Sequence, residues 1–77
     1  MALADEIVAR FADIIKVPKE TVDLDKDLVD VYNIDSVKAL RLISDVEVEY
    51  EINIGDDEAR QVQTLNDVIA LIASKRR

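Results

Sequence analysis

Leu3, Ile7, Phe11, Ile14 and Ile15 recur at helical spacing, with Asp5 and Glu6 near the start, where acids complement the helix dipole. Val17-Pro18 marks the stop, because the proline ring disfavours helical backbone in the residue before it. Residues 18–35 lose this period and are rich in Asp, which predicts a long loop held to the core by Val22, Leu24 and Leu28.

From Ser36 the helical period returns. At ~100° per residue, Ala39, Leu40, Leu42, Ile43, Val46 and Tyr50 fall on one broad inward face. Val37, Lys38, Arg41, Ser44, Asp45 and Val48 fall outward. The stretch Val46 to Ile54 complicates this reading, since its strict apolar–polar alternation is the signature of a half-buried strand. A strand needs a partner, however, and the one weak candidate is Thr21 to Leu28; two strands alone make a poor sheet. The face entering from Leu40 and Ile43 continues through Tyr50, so Val46 to Glu51 is expected to be helical.

Beyond Gly55, the acids Asp56, Asp57 and Glu58 open a short third helix with Ala59 and Val62 facing inward. Thr64 then caps the last helix, with Asp67 three residues on as a capping-box variant and Leu65, Val68, Ile69 and Ile72 as its buried stripe. The prediction is an all-α, four-helix domain spanning residues 1–77. With 49% hydrophobic against 35% charged residues, and a single Gly and a single Pro, the composition suits a folded helical globule of marginal stability.

Charge sharpens the picture. The net charge of −7 is uneven: residues 20–58 carry 13 acidic and 3 basic side chains, while Lys75, Arg76 and Arg77 close the chain as solvated cations suited to a helix C-terminus. Such a field repels nucleic acid and attracts basic partners. Neither membrane insertion nor export is indicated, because the longest apolar run, Val68 to Ala73, is far too short and the start lacks a basic signal. The absence of cysteine is compatible with a reducing compartment, so cytoplasm is the expected location.

Catalysis is not expected. There is no His, no Cys, no glycine-rich phosphate loop and no triad. Asp23, Asp25 and Asp27 have the spacing of a calcium loop's first ligands, but Leu28 replaces the required Gly and Ile34 replaces the bidentate Glu. What remains is Asp35-Ser36-Val37, a hydroxyl at the head of an amphipathic helix. The positive end of a helix favours a phosphate at that position.

With this tripeptide, a preceding acidic loop, Glu47-Val48-Glu49-Tyr50 near the end of the second helix, and the helix order, the whole chain resembles the acyl carrier protein family. The resemblance implies a four-helix bundle with a long first loop and a short third helix. It implies phosphopantetheine on Ser36, flanked by Asp35 and Val37 and donated from coenzyme A by a phosphopantetheinyl transferase. It further implies a monomer that presents thioester cargo to acyl-transferring and synthase enzymes of fatty-acid, lipid or polyketide-type biosynthesis. The outward face of Val37, Lys38, Arg41, Ser44, Asp45 and Val48 would dock them. Leu42, Ile43, Val46, Ile54, Ala59, Val62 and Ile69 would line an acyl-chain pocket. The chain departs from the family pattern at Asn33, where Gly is common, and at Lys38 and Arg41, where acids are common. Asn33 can still adopt a left-handed backbone. Lys38 and Arg41 reverse the charge that a basic partner groove would read, which points to a specialised carrier. The alternative is an unmodified acidic helical adaptor for a basic partner.

Overall fold

The computed structural model describes residues 3–75, which form four α-helices: α1 (Leu3–Ile15), α2 (Ser36–Tyr50), α3 (Asp56–Arg60) and α4 (Leu65–Lys75). Among the described residues there is no strand, and a short 3-10 turn at Lys19–Thr21 follows Pro18. α1 packs against both α2 and α4. Its stripe of Ile7, Phe11 and Ile14 meets Leu42 and Val46 of α2 and Leu65, Val68 and Ile72 of α4 in one buried cluster.

The ends of the first two helices share a physical device. α1 stops as Lys16 turns left-handed (φ 63°) and the Val17 N–H reaches back to the Ala12 carbonyl at 3.1 Å. α2 stops in the same way at Glu51 (φ 54°), with the Ile52 N–H bonded to the Glu47 carbonyl at 3.1 Å. Neither position has the glycine usual in this cap, so each carries some left-handed strain. The alternating stretch is therefore helical from Val46 through Tyr50, one residue short of the expected Glu51. Beyond it, Ile54 drops into the core from an extended connector.

The capping box at α4 forms as expected: Thr64 Oγ1 accepts the Asp67 N–H at 3.3 Å, and the Asp67 carboxylate accepts the Thr64 N–H at 3.1 Å. Lys75 differs from the solvated cation expected, since its ammonium lies 3.0 Å from the Glu58 carboxylate. Arg76 and Arg77 lie outside the described residues.

The acidic loop is more ordered than its composition suggests. Leu28 and Ile34 are buried, while Val22 and Leu24 pack against the core. Tyr32 sets its ring edge-on against Phe11 (centroids 5.3 Å apart, planes at 80°), and its hydroxyl accepts the Asp23 N–H at 2.6 Å. Backbone bonds from Leu28 N–H to the Gln63 carbonyl (2.8 Å) and from Asn66 N–H to the Leu24 carbonyl (3.2 Å) fasten the loop to the start of α4. Two of the spaced aspartates serve turns, Asp23 accepting the Asp25 N–H and Asp27 the Val29 and Asp30 N–H groups, while Asp25 accepts the Asn66 side-chain amide of α4.

Candidate functional site

The loop delivers the chain to the head of α2 through two backbone settings. Asn33 is left-handed (φ 55°) with its N–H bonded to the Val29 carbonyl at 3.0 Å, so the residue standing in the family's glycine position does adopt the conformation glycine would supply. Asp35 is extended, and its carboxylate accepts the Lys38 N–H at 2.9 Å. The N-cap is therefore Asp35, and Ser36 is the first helical residue.

This division of labour decides what Ser36 can do. A serine acting as the cap would have its oxygen committed to the backbone. Here Asp35 takes that bond, and the exposed Ser36 hydroxyl makes no hydrogen bond to any described residue. An exposed hydroxyl beside the unbonded N–H groups of a 15-residue helix fits a phosphodiester, whose negative charge the helix terminus favours.

The outward face of α2 is as predicted at Val37 and Val48, which are 75% and 80% exposed, and Lys38, Arg41 and Ser44 are exposed beside them. Two residues depart from expectation. Leu40, assigned to the inner face, is 65% exposed. Its position lies ~120° around the helix from Val46, past the edge of the buried arc, and none of the described elements covers it. Asp45, assigned to the outer face, is half-buried and turned inward: its carboxylate lies 3.7 Å from Arg10 and 4.0 Å from Arg41.

Arg10 also bonds Glu49 at 2.7 Å, and the Tyr50 hydroxyl donates to the Glu6 carboxylate at 2.6 Å. Partial burial, and then that bond, push the Tyr50 phenol up to about 12. On the opposite side of α2 an apolar cavity of about 80 Å³ is bounded by Phe11, Leu28, Val29, Ile34, Ala39, Leu42, Ile43, Ala59 and Val62. The structure thus brings together Leu42, Ile43, Ala59 and Val62 from the predicted lining. Val46 and Ile54 are buried elsewhere in the core, and Ile69 packs half-buried against it. Phe11, Leu28, Val29, Ile34 and Ala39 were not foreseen in the lining, although the ordinary helical period already marked Phe11 and Ala39 as inward.

Comparison with known proteins agrees with this arrangement. Residues 5–72 match the family described as "Phosphopantetheine attachment site". The chain is 32% identical to an acyl carrier protein of Renibacterium salmoninarum, over 96% of each chain, and 32% identical to one of Chlamydia trachomatis, over 99% of each. A solved Mycobacterium tuberculosis structure assigned as an acyl carrier protein superposes with a TM-score of 0.87 at 29% identity, covering 95% of this chain and 97% of the other. The solution structure of a holo acyl carrier protein from Geobacter metallireducens shares the fold with a TM-score of 0.80 at 21% identity, covering 97% of this chain and 86% of the other.

The chain belongs to the acyl carrier protein family, whose defining feature is a phosphopantetheine attachment site. It is a carrier with a phosphopantetheine prosthetic group, not an enzyme, and it works with enzymes of acyl transfer and synthesis. Among the described residues no helix is long and apolar enough to cross a membrane.

Proposed function

We propose that Ser36 is the attachment point, and that this chain carries acyl intermediates as thioesters on an arm anchored there. The observation that carries the reading is the cap: Asp35 takes the helix-capping bond and leaves the Ser36 hydroxyl exposed at the positive end of α2. In loading, Ser36 Oγ bonds to a phosphorus of coenzyme A's pyrophosphate, the adenosine bisphosphate leaves, and the hydroxyl proton passes to a base of the phosphopantetheinyl transferase. The bound arm supplies the thiol that this cysteine-free chain lacks. Its flexibility raises the effective concentration of cargo at a docked enzyme.

Incubation with coenzyme A and a phosphopantetheinyl transferase should raise the intact mass by one phosphopantetheine. Ser36→Ala should abolish that gain with an unchanged helical circular dichroism spectrum. Modification persisting in Ser36→Ala overturns the assignment, and no gain in the parent restores the adaptor reading.

The docking face is Val37, Leu40 and Val48, edged by Lys38, Arg41 and Ser44, with Asp45 positioning Arg41 from below. Exposed aliphatics within reach of Ser36 suit a partner's apolar rim, and the two cations suit an acidic or mixed-charge groove. Replacing Lys38 and Arg41 by Glu should slow association with the cognate synthase and speed it with general fatty-acid enzymes. Equal transfer kinetics of parent and variant with both enzyme sets at low salt would reduce the cations to solvated surface. The cysteine-free composition and acidic surface support a cytoplasmic monomer.

A further inference from the structure

We propose that Tyr32 is a positioning residue for the loading of Ser36. Its bond to the start of the loop holds Asn33 left-handed, which keeps Asp35 on the helix cap and leaves the Ser36 hydroxyl free. The proposal rests on the reading of Ser36 as the attachment point and adds the residue that prepares it.

The loop reaches Ser36 through one left-handed step. Asn33 (φ 55°) has a Cβ, so this conformation costs more than it would for glycine and needs support from its neighbours. On one side Ile34 is buried, and its N–H reaches the Leu28 carbonyl at 3.1 Å. On the other stands half-buried Tyr32, whose hydroxyl accepts the Asp23 N–H at 2.6 Å and whose ring meets Phe11 of α1 edge-on. Phe11 is fully buried, so Tyr32 ties the turn both to the core and to the opposite end of the loop.

The consequence falls just beyond the turn. With Asn33 left-handed, the chain enters α2 so that Asp35 is extended and accepts the Lys38 N–H at 2.9 Å. When the turn relaxes, Asp35 leaves that position, and the neighbouring serine is a residue that caps helices equally well. A Ser36 acting as cap has its oxygen bonded to the backbone, the state least suited to attack on the coenzyme A pyrophosphate. Tyr32 thus raises the fraction of chains with a free hydroxyl and takes no part in the transfer itself.

The test loads the unmodified full chain with coenzyme A and a phosphopantetheinyl transferase, comparing parent, Tyr32→Phe, Tyr32→Phe with Asn33→Gly, and Ile72→Val. Tyr32→Phe keeps the ring on Phe11 and loses the hydroxyl bond. It should raise the KM for the carrier about two- to fivefold at unchanged kcat, the upper figure being the whole effect of one ordinary hydrogen bond. Hydrogen exchange at the Asn33, Ile34 and Lys38 amides should quicken about fivefold by the same reasoning. Adding Asn33→Gly, which removes the left-handed cost, should bring KM back at least halfway. Ile72→Val weakens the core on α4 to a similar extent and should move neither KM nor these amides. Parent-like KM or exchange in Tyr32→Phe overturns the proposal, as does an equal rise in Ile72→Val or no recovery on adding Asn33→Gly. Failure of the parent to gain mass strikes the Ser36 reading itself and is seen before any variant is compared.

Discussion

α2 meets its two neighbours across seams of opposite character. Toward α1, Leu42 and Val46 are buried against Ile7 and Phe11, and three polar links close the rim: Arg10 to Glu49, Arg10 to Asp45, and Tyr50 to Glu6. Toward α3, Ala39 and Ile43 face Ala59 and Val62 across a cavity, and among the described residues no hydrogen bond or ion pair joins the two helices. The nearest link, the Glu47 carboxylate accepting the Ile54 N–H at 2.9 Å, holds the connector and not α3. The same helix is thus fixed on one side and separable on the other.

The contrast is broken most directly by trimming each seam. Val46→Ala removes two methyl groups from a fully buried site and should lower stability by about 2 kcal/mol or more, a large share of what so small a domain has. Ile43→Ala removes more atoms but borders existing empty space and is half-buried, so it should lower stability by only ~1 kcal/mol. Urea unfolding of both variants decides it. Equal losses, or a larger loss from Ile43→Ala, would mean that the α3 side is packed as firmly as the α1 side.

A smaller effect is expected at the polar rim. The raised Tyr50 phenol stays protonated in the folded chain while its unfolded counterpart titrates near 10.0. Its contribution is therefore complete below pH 10.0 and is lost as pH rises toward about 12. Tyr50→Phe should remove about 1 kcal/mol at neutral pH and flatten stability across that alkaline window. An unchanged alkaline profile in Tyr50→Phe would remove this bond from the α1–α2 clasp.

The smallest effect concerns α3 itself. Glu58 accepts the Gly55 N–H at 2.9 Å and pairs with Lys75, and these bonds, the backbone one first, hold its carboxyl below the ordinary value of 4.5. The stabilisation is present above that value and disappears as pH falls through the lower folded one. Hydrogen exchange at Ala59 and Arg60 should quicken severalfold in Glu58→Gln at neutral pH, while Val46 and Tyr50 amides stay unchanged. Equal acceleration in α2 would show that the two helices move as one body.

Much of this was legible in residue order, because helical periodicity and capping are local. The stripe from Leu3 to Ile15, the proline stop, the Thr64–Asp67 box, and a left-handed Asn33 before Asp35-Ser36 depend on side chains within a few positions of one another. Even the alternation through Val46 to Tyr50 yields to the longer helical face that enters it. Contacts across long separations left no comparable signal. Nothing near Arg10 indicates that it reaches Asp45 and Glu49, nothing near Tyr32 announces Phe11, and Lys75 resembles a free cation until the fold brings Glu58 beside it.

Leu40 shows the same division within a single helix. Periodicity fixes its angle near the edge of the apolar arc, but whether an edge residue is covered depends on which neighbour lies there. By itself, then, the sequence determined four helices, the cap of the last and a serine at the head of the second, since these follow from local backbone physics; that Asp35 takes the cap and frees the Ser36 hydroxyl came from the structure. The tertiary structure alone decided which side of that helix is fastened, which holds a cavity and how large that cavity is. Those properties belong to the spaces between elements, which no single stretch of chain encodes.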